Sequence, residues 1–142
     1  MIKSYRGQLP DGSQDRIRLS TPNGKTGHRI VKFQILPATP GDAAAEHCVK
    51  IYKNEQSSVD DNVNFGDNTL LGAAVYAAAS STSYPQVQTS VIFDAEIFNQ
   101  DIYVTQKDTQ GGSCNYYIEL EQIPLTETEA LVSIIKNLRI EQ

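Results

Sequence analysis

The sequence contains no tryptophan, one methionine, two cysteines and two histidines among its 142 residues. It also lacks an apolar run near the roughly 18 residues that a membrane-spanning helix needs. We therefore predict no transmembrane helix and no membrane partner. The first ten residues, MIKSYRGQLP, contain no apolar segment of the kind that secretory signals carry. From this we expect a protein that assembles in the cytoplasm.

Basic residues are also few: 12 Lys and Arg stand against 17 Asp and Glu, which gives a net charge of −5. Domains that bind nucleic acid usually present a basic stripe to the phosphates, so we expect no nucleic-acid partner. The length suits one domain with a single core, and no long Pro, Gly or Ser linker divides the chain. We predict one domain over residues 1–142.

The two cysteines, Cys48 and Cys114, lie far apart and form neither a Cys-x-x-Cys motif nor a zinc-ligand spacing with histidine. We predict that both are reduced and buried as small apolar side chains. Neither a structural metal nor a cofactor is expected.

Most of the chain alternates apolar and polar residues with a period of two, which is typical of antiparallel strands with one buried face. The alanine-rich segment 68–79 fits helix or strand, and we assign it to a strand because Gly72 lies in its middle. Asn23-Gly24 between the second and third strands predicts a hairpin. The predicted strands are residues 2–9, 15–21, 28–36, 46–53, 68–79, 89–94, 101–106 and 115–122.

One helix is predicted at the C-terminal end, over about residues 126–139. Thr126 and Glu129 have the spacing of a capping box. An apolar stripe follows at helical spacing, and we expect it to pack on the protein's own sheet or on a neighbouring subunit. The stripe consists of Leu131, Ile134, Ile135 and Leu138. The predicted fold is mainly β, an antiparallel β-sandwich or barrel of about seven or eight strands with one C-terminal helix.

The motifs of common hydrolases, zinc proteases and dinucleotide-binding enzymes are missing from the sequence. His47 and Cys48 are adjacent, so on a strand their side chains point to opposite faces. We predict no catalytic residues and a protein that is not an enzyme. Residues 60–67 carry oxygen ligands at alternate positions but lack the glycine and glutamate of an EF-hand loop. No metal site is predicted, although calcium binding by this loop stays open.

Tyrosine is the commonest aromatic residue, and four tyrosines fall on strand faces opposite the more apolar ones. These side chains offer both apolar area and a hydrogen bond, a combination enriched at protein interfaces. We predict an interface formed by Tyr52, Tyr76, Tyr103 and Tyr117.

Three segments carry a resemblance to a known group of proteins. They are VIFDAEIFNQDIYVTQKD (residues 91–108), NYYIELEQ (115–122) and KIYKNEQSSVDDNVNFGDNTLLGAAVY (50–76). They resemble small virion structural proteins of marine tailed bacteriophages, such as the phages that infect cyanobacteria. The resemblance extends over roughly residues 49–138. The resemblance implies a place in the phage particle and brings no catalytic motif with it.

From the resemblance we expect a capsid decoration or cement protein. Its partner would be the major capsid protein, with self-association on the capsid as a further expectation, and its location the capsid surface. Two alternatives stay open: a tail, neck or fibre-associated virion protein, and a carbohydrate-binding β-sandwich module. The lack of tryptophan counts against the second alternative, because sugar-binding platforms often use it.

Overall fold

The structure is a computed structural model. It describes residues 1–42, 44–78 and 87–141, with side chains described as far as Ile135 in the terminal helix. Within these residues the chain forms eight strands and one helix. They are β1 (Ile2–Leu9), β2 (Ser13–Ile17), β3 (Thr26–Pro37), β4 (Glu46–Tyr52), β5 (Leu70–Ala77), β6 (Val87–Ile92), β7 (Ile102–Asp108), β8 (Cys114–Pro124) and α1 (Glu127–Glu141).

The strands form two antiparallel sheets that pack face to face as a sandwich, which confirms the predicted fold class. One sheet has three strands in the order β1-β8-β3, and the other has five in the order β2-β7-β4-β5-β6. The core lies between them. Its fully buried side chains come from both sheets, with Ile118 and Leu120 on β8 facing Ile51, Ile102 and Val104 of the larger sheet.

The predicted hairpin between the second and third strands is wrong. The Asn-Gly segment does turn, since Gly24 has φ +65° and its N–H donates to the Thr21 carbonyl at 3.2 Å. However, β2 pairs with β7 and β3 pairs with β8, so this turn carries the chain from one sheet to the other. Turn chemistry sets the local bend, and strand pairing depends on which apolar faces must be covered.

The alanine-rich segment is a strand, β5, and its small side chains explain how the sheets come together there. A Cβ added at Gly72 would lie 3.2 Å from the Val91 carbonyl oxygen and 3.6 Å from the Phe33 ring. A Cβ alone would crowd the Val91 carbonyl of β6, and a longer side chain would also meet the Phe33 ring of β3. The last predicted strand residue, Ala79, lies outside the described residues.

A bulge in β3 changes which side chains it buries. Alternation predicts Val31, Phe33 and Ile35 on the inner face, but the pairing with β8 shifts register between Ile30 and Lys32. Ile30 therefore joins Phe33 and Ile35 in the core, while Val31 is half-buried. A bulge adds one residue to one strand and so reverses the face of everything before it.

The capping box forms as predicted at the start of α1. The Glu129 N–H donates to Thr126 Oγ1, and the Thr126 N–H donates to Glu129 Oε1, both at 3.2 Å. Ala130 is buried and its carbonyl accepts a hydrogen bond from Asn99 Nδ2 at 3.1 Å. The first turn of α1 is therefore fixed to the body of the protein.

The apolar stripe of α1 does not cover its own sheet. Ile134 is half-buried near Gly24, but Leu131 is 58% exposed and Ile135 is 43% exposed. Leu138 lies beyond the residues whose side chains are described. Since the sandwich already encloses its core, the helix meets it through one turn and leaves most of its described apolar face in solvent.

His28 links β3 to the segment between β6 and β7. Its backbone exchanges two hydrogen bonds with Phe98, at 2.7 and 3.0 Å, and its ring stacks on the Phe98 ring. The imidazole is buried, and Nδ1 has no hydrogen-bond partner. Burial, with a smaller effect from the charge of Lys3, holds the pKa of His28 below its ordinary value of 6.5.

We predict that acidification below about pH 6.5 destabilises the protein through His28. The unfolded chain takes up a proton that the buried imidazole resists, so stability is full above the unfolded pKa and declines towards the folded pKa. The free energy of unfolding falls by at most about 1.4 kcal/mol per pH unit. Urea unfolding at pH 7.5 and pH 5.5 measures it. His28→Gln has no titrating group, and an unchanged pH dependence in this variant would contradict the assignment.

Candidate functional site: a groove beside strand β6

The four predicted interface tyrosines do not form one surface. Tyr76 lies on the inner face of the larger sheet, where it belongs to the core and stands 6.2 Å from the His47 ring. Tyr52 lies on the outer face of that sheet but is buried as well. The expectation that these two rings are available to a partner is therefore wrong in this chain.

Tyr103 and Tyr117 are half-buried and lie on different sheets. Tyr103 is flanked by the Arg16 guanidinium, 5.9 Å from the ring centroid. Tyr117 lies on the outer face of the three-stranded sheet, in a row with Arg6 and Gln34 across the register. Of the four tyrosines, Tyr117 is the one that lines a groove.

The groove has a volume of about 840 Å³ and lies where β6 comes close to the edge of the smaller sheet. Four strands contribute to its lining: residues 6–7 of β1, 33–36 of β3, 88–90 of β6 and 115–117 of β8. Sequence reasoning missed Gln34, Leu36 and Gln88, because residues so distant along the chain carry no shared motif. Strand pairing brings them together.

Amide and aromatic side chains give the groove its chemistry. Gln88 Nε2 donates to the Ile35 carbonyl at 3.0 Å and so links β6 to β3. Asn115 Oδ1 accepts a hydrogen bond from Gln8 at 3.0 Å. The exposed side chains of Arg6, Gln34 and Leu36 complete a surface that mixes hydrogen-bonding groups with apolar area.

The Tyr117 hydroxyl is oriented by its neighbours. It donates to Glu119 Oε2 at 2.8 Å, and the Lys32 ammonium lies 5.9 Å from the ring centroid. The hydrogen bond to the Glu119 carboxylate raises the pKa of Tyr117. The ring is therefore a neutral, fixed flat surface at neutral pH, which suits contact with a ligand or protein and does not suit acid–base chemistry.

Lys50 contributes to the burial of Tyr52 and binds two oxygens of residues 60–67, the loop for which calcium binding stayed open. This ammonium is buried under the segment between β4 and β5, where it donates to Asp60 Oδ1 at 2.7 Å and to the Asn62 carbonyl at 2.6 Å. It also stands 5.5 Å from the Tyr52 ring centroid. Two oxygens of this loop are thus bound by a lysine of the same chain and are not free for a calcium ion.

We predict that this ammonium holds the segment on the sheet. Asp60→Ala removes one of the partners of the buried Lys50 ammonium and lowers the free energy of unfolding by about 1–3 kcal/mol. Lys50→Met removes the charge and keeps the apolar part of the side chain, so it lowers the free energy of unfolding by less. Urea unfolding of both variants and of the double variant measures the coupling. If Asp60→Ala had the same free energy of unfolding as the wild type, Lys50 would not hold this segment on the sheet. Because the bond to Lys50 lowers the pKa of Asp60, the contribution is lost only as pH falls below the ordinary carboxyl range.

The buried thiols lack the activation that nucleophilic cysteines need. Both cysteines are free and buried, as predicted. Burial raises the pKa of Cys48, and it raises the pKa of Cys114 to about 12. Both side chains therefore stay protonated at neutral pH, while catalysis requires the thiolate.

His47 belongs to a second buried polar cluster, with Gln106 Oε1 at 3.4 Å and Asp108 Oδ2 at 3.7 Å from its Nδ1. Asp108 accepts hydrogen bonds from the backbone N–H groups of Glu46, Gln110 and Gly112. Gln106 Nε2 donates to the carbonyls of Leu9 and Gly112. These bonds hold the turn between β7 and β8, so the cluster has a structural role.

The sequence is not matched by any protein-family model, nor does any curated protein match it significantly. Among the described residues, no three His, Cys, Asp or Glu side chains are grouped so as to hold a metal ion. The described part of the chain also has no helix with the length and apolar composition to cross a bilayer.

Proposed function

We propose that this chain is a non-enzymatic structural protein of a bacteriophage particle, a decoration or cement protein bound to the lattice of the major capsid protein. The resemblance of residues 50–76, 91–108 and 115–122 to small virion proteins supports the phage setting. The structure adds support of another kind, because a small sandwich with a closed core leaves an apolar helix face exposed.

The exposed face of α1 is the observation that carries the proposal. Leu131, Val132 and Ile135 are each 43% exposed or more, while the first turn of the same helix is anchored through Ala130 and Asn99. Exposure of such a face to water is unfavourable. Its burial is favourable by about 25 cal/mol per Å² of apolar area. An apolar helix face that starts from an anchored first turn suits docking into a depression of a shell subunit.

Binding to an assembled shell would stabilise it by mass action, because the ligand prefers the assembled state. Because a lattice offers many equivalent sites, the modest free energy of each contact adds up over the whole shell. The chain's net charge of −5 directs such a contact towards neutral or basic capsid surface, since an acidic surface would repel it.

The copy number of this chain in gradient-purified particles tests the proposal, by quantitative mass spectrometry against the major capsid protein. A decoration protein is expected in the hundreds per particle, at a simple fraction of the capsid protein. A dozen copies or fewer would favour the tail, neck or fibre-associated alternative. Absence from particles would overturn the virion proposal.

We predict that Leu131→Ser combined with Ile135→Ser weakens binding to undecorated capsids by about tenfold to a hundredfold. The change removes two half-exposed apolar side chains, worth about 1 kcal/mol or more each on burial. Co-sedimentation with capsids measures the affinity, and unfolding curves should stay close to wild type.

Leu36→Ser is the matched control, because Leu36 is 56% exposed against 58% for Leu131 but lies in the groove. The control should bind capsids as wild type does. Equal loss in the control, or no loss in the helix variant, would show that α1 is not the capsid contact.

A carbohydrate-binding module is the second candidate, and the groove favours it. The fixed ring of Tyr117 beside the amides of Gln34, Gln88 and Asn115 combines a flat apolar surface with donors and acceptors for hydroxyl groups. We predict that any glycan bound on an array is lost in Tyr117→Ala and kept in Tyr103→Ala, a half-buried tyrosine outside the groove. No binding by the wild-type protein would exclude this candidate.

A further inference from the structure

The two sheets have four edge strands, and three of them carry features that discourage pairing with another strand. β1 contains Lys3 and Arg6, and β2 contains Asp15 and Arg16. β3 is interrupted by its bulge, ends at Pro37 and is bridged at His28 to Phe98. Charge, proline and bulges are the usual means by which strand edges avoid new partners.

β6 has none of these features. Its sequence, VQTSVI, contains no charged residue and no proline, and its pairing with β5 has no register shift. Val87 is 48% exposed and Val91 is 39% exposed. Within the described residues no strand pairs with the outer side of β6. An uncharged, regular edge strand with exposed β-branched residues can pair with a strand of another chain.

The direction of the free backbone groups follows from the pairing with β5. The Phe93 N–H donates to the Leu71 carbonyl, and Val91 and Thr89 lie opposite Ala73 and Val75. In an antiparallel ladder, residues that bond to one neighbour alternate with residues that face the other way. The N–H and C=O groups of Gln88, Ser90 and Ile92 therefore point away from β5.

We propose that two copies of this chain associate through β6, which pairs antiparallel with β6 of the second copy about a two-fold axis at Ser90. Ser90 then exchanges two hydrogen bonds with its equivalent, and Gln88 of each copy does so with Ile92 of the other. The five-stranded sheets join into one continuous sheet across the dimer. This inference does not depend on a place in a phage particle.

The same register covers the exposed apolar side chains. Val91 comes opposite Thr89 of the second copy, and Val87 comes opposite Phe93, whose ring already meets Phe65 edge-on at 5.3 Å. Cross-strand pairs of aromatic and β-branched residues are among those that stabilise sheets. A shift by one residue would turn the outward groups away from each other, so the ladder excludes every register shifted by an odd number of residues. Among the remaining registers, this one pairs Val87 with the Phe93 ring.

A second copy suits this edge better than a different protein for two reasons. The strand is uncharged, so it pairs with itself without bringing like charges together, although each whole chain carries −5. A two-fold axis also places every free donor opposite a free acceptor, which an isologous contact requires. The groove beside residues 88–90 supplies open space for the incoming strand.

Sedimentation equilibrium tests the proposal across concentrations of about 1–100 μM. The wild-type mass is expected to rise from 15.7 kDa towards twice that value. Val91→Lys places a charge between the two β6 strands and should raise the dissociation constant of the dimer by about tenfold or more. Ser90→Pro removes an outward N–H that the chain does not use in its own ladder, and it should have the same effect.

Val132→Lys is the matched control, since Val132 is 46% exposed and lies on α1. It should dimerise as wild type does, and circular dichroism should show that the variants fold. A wild-type protein that stays monomeric at the highest concentration would overturn the proposal. So would dimerisation unchanged in Val91→Lys, or loss of the dimer in Val132→Lys. If Ser90→Pro fails to fold, Val91→Lys decides.

Discussion

The packing of the three-stranded sheet on the five-stranded sheet is the contact on which the rest of the structure depends. Ile118 and Leu120 have no exposed surface, and neither do Ile51, Ile102 and Val104 opposite them. Each sheet has a single apolar inner face, so neither is stable without the other. This requirement explains why the Asn-Gly turn connects two sheets and why the small Gly72 lies opposite the Phe33 ring of the other sheet.

Once the sandwich is closed, polar groups are used to fix its periphery. The Lys50 ammonium holds the segment between β4 and β5, and the Asp108 carboxylate holds the turn between β7 and β8. Asp101 does the same near β2, where it accepts hydrogen bonds from the backbone of Leu19 and Ser20 and from Arg16. Buried charges of this kind need their partners, so residues that resemble ligands or catalysts in the sequence are already engaged with the chain itself.

Within the part of the chain that the structure describes, the exposed face of α1, the outer edge of β6 and the groove beside it are three surfaces available to a partner. They differ in chemistry. The helix face is apolar, the strand edge offers backbone hydrogen bonds, and the groove combines amides with the Tyr117 ring. A protein that must bind both its own copies and a repeated lattice needs two separate surfaces, and α1 and β6 are separate elements. The proposals for the two surfaces are therefore independent and complementary.

The sequence by itself determined the secondary structure and the fold class. Period-2 alternation located most of the strands, Gly72 decided for a strand in the alanine-rich segment, and Thr126 with Glu129 located the start of the helix. All of these are local properties of neighbouring residues. The tertiary structure decided which strands pair, that Tyr76 is buried, that the bulge places Ile30 in the core, and that Leu131 is exposed. It also assembled the groove from four strands. These features depend on contacts between residues far apart in the chain and on which apolar faces are buried in the single core. A local sequence pattern carries no information on either.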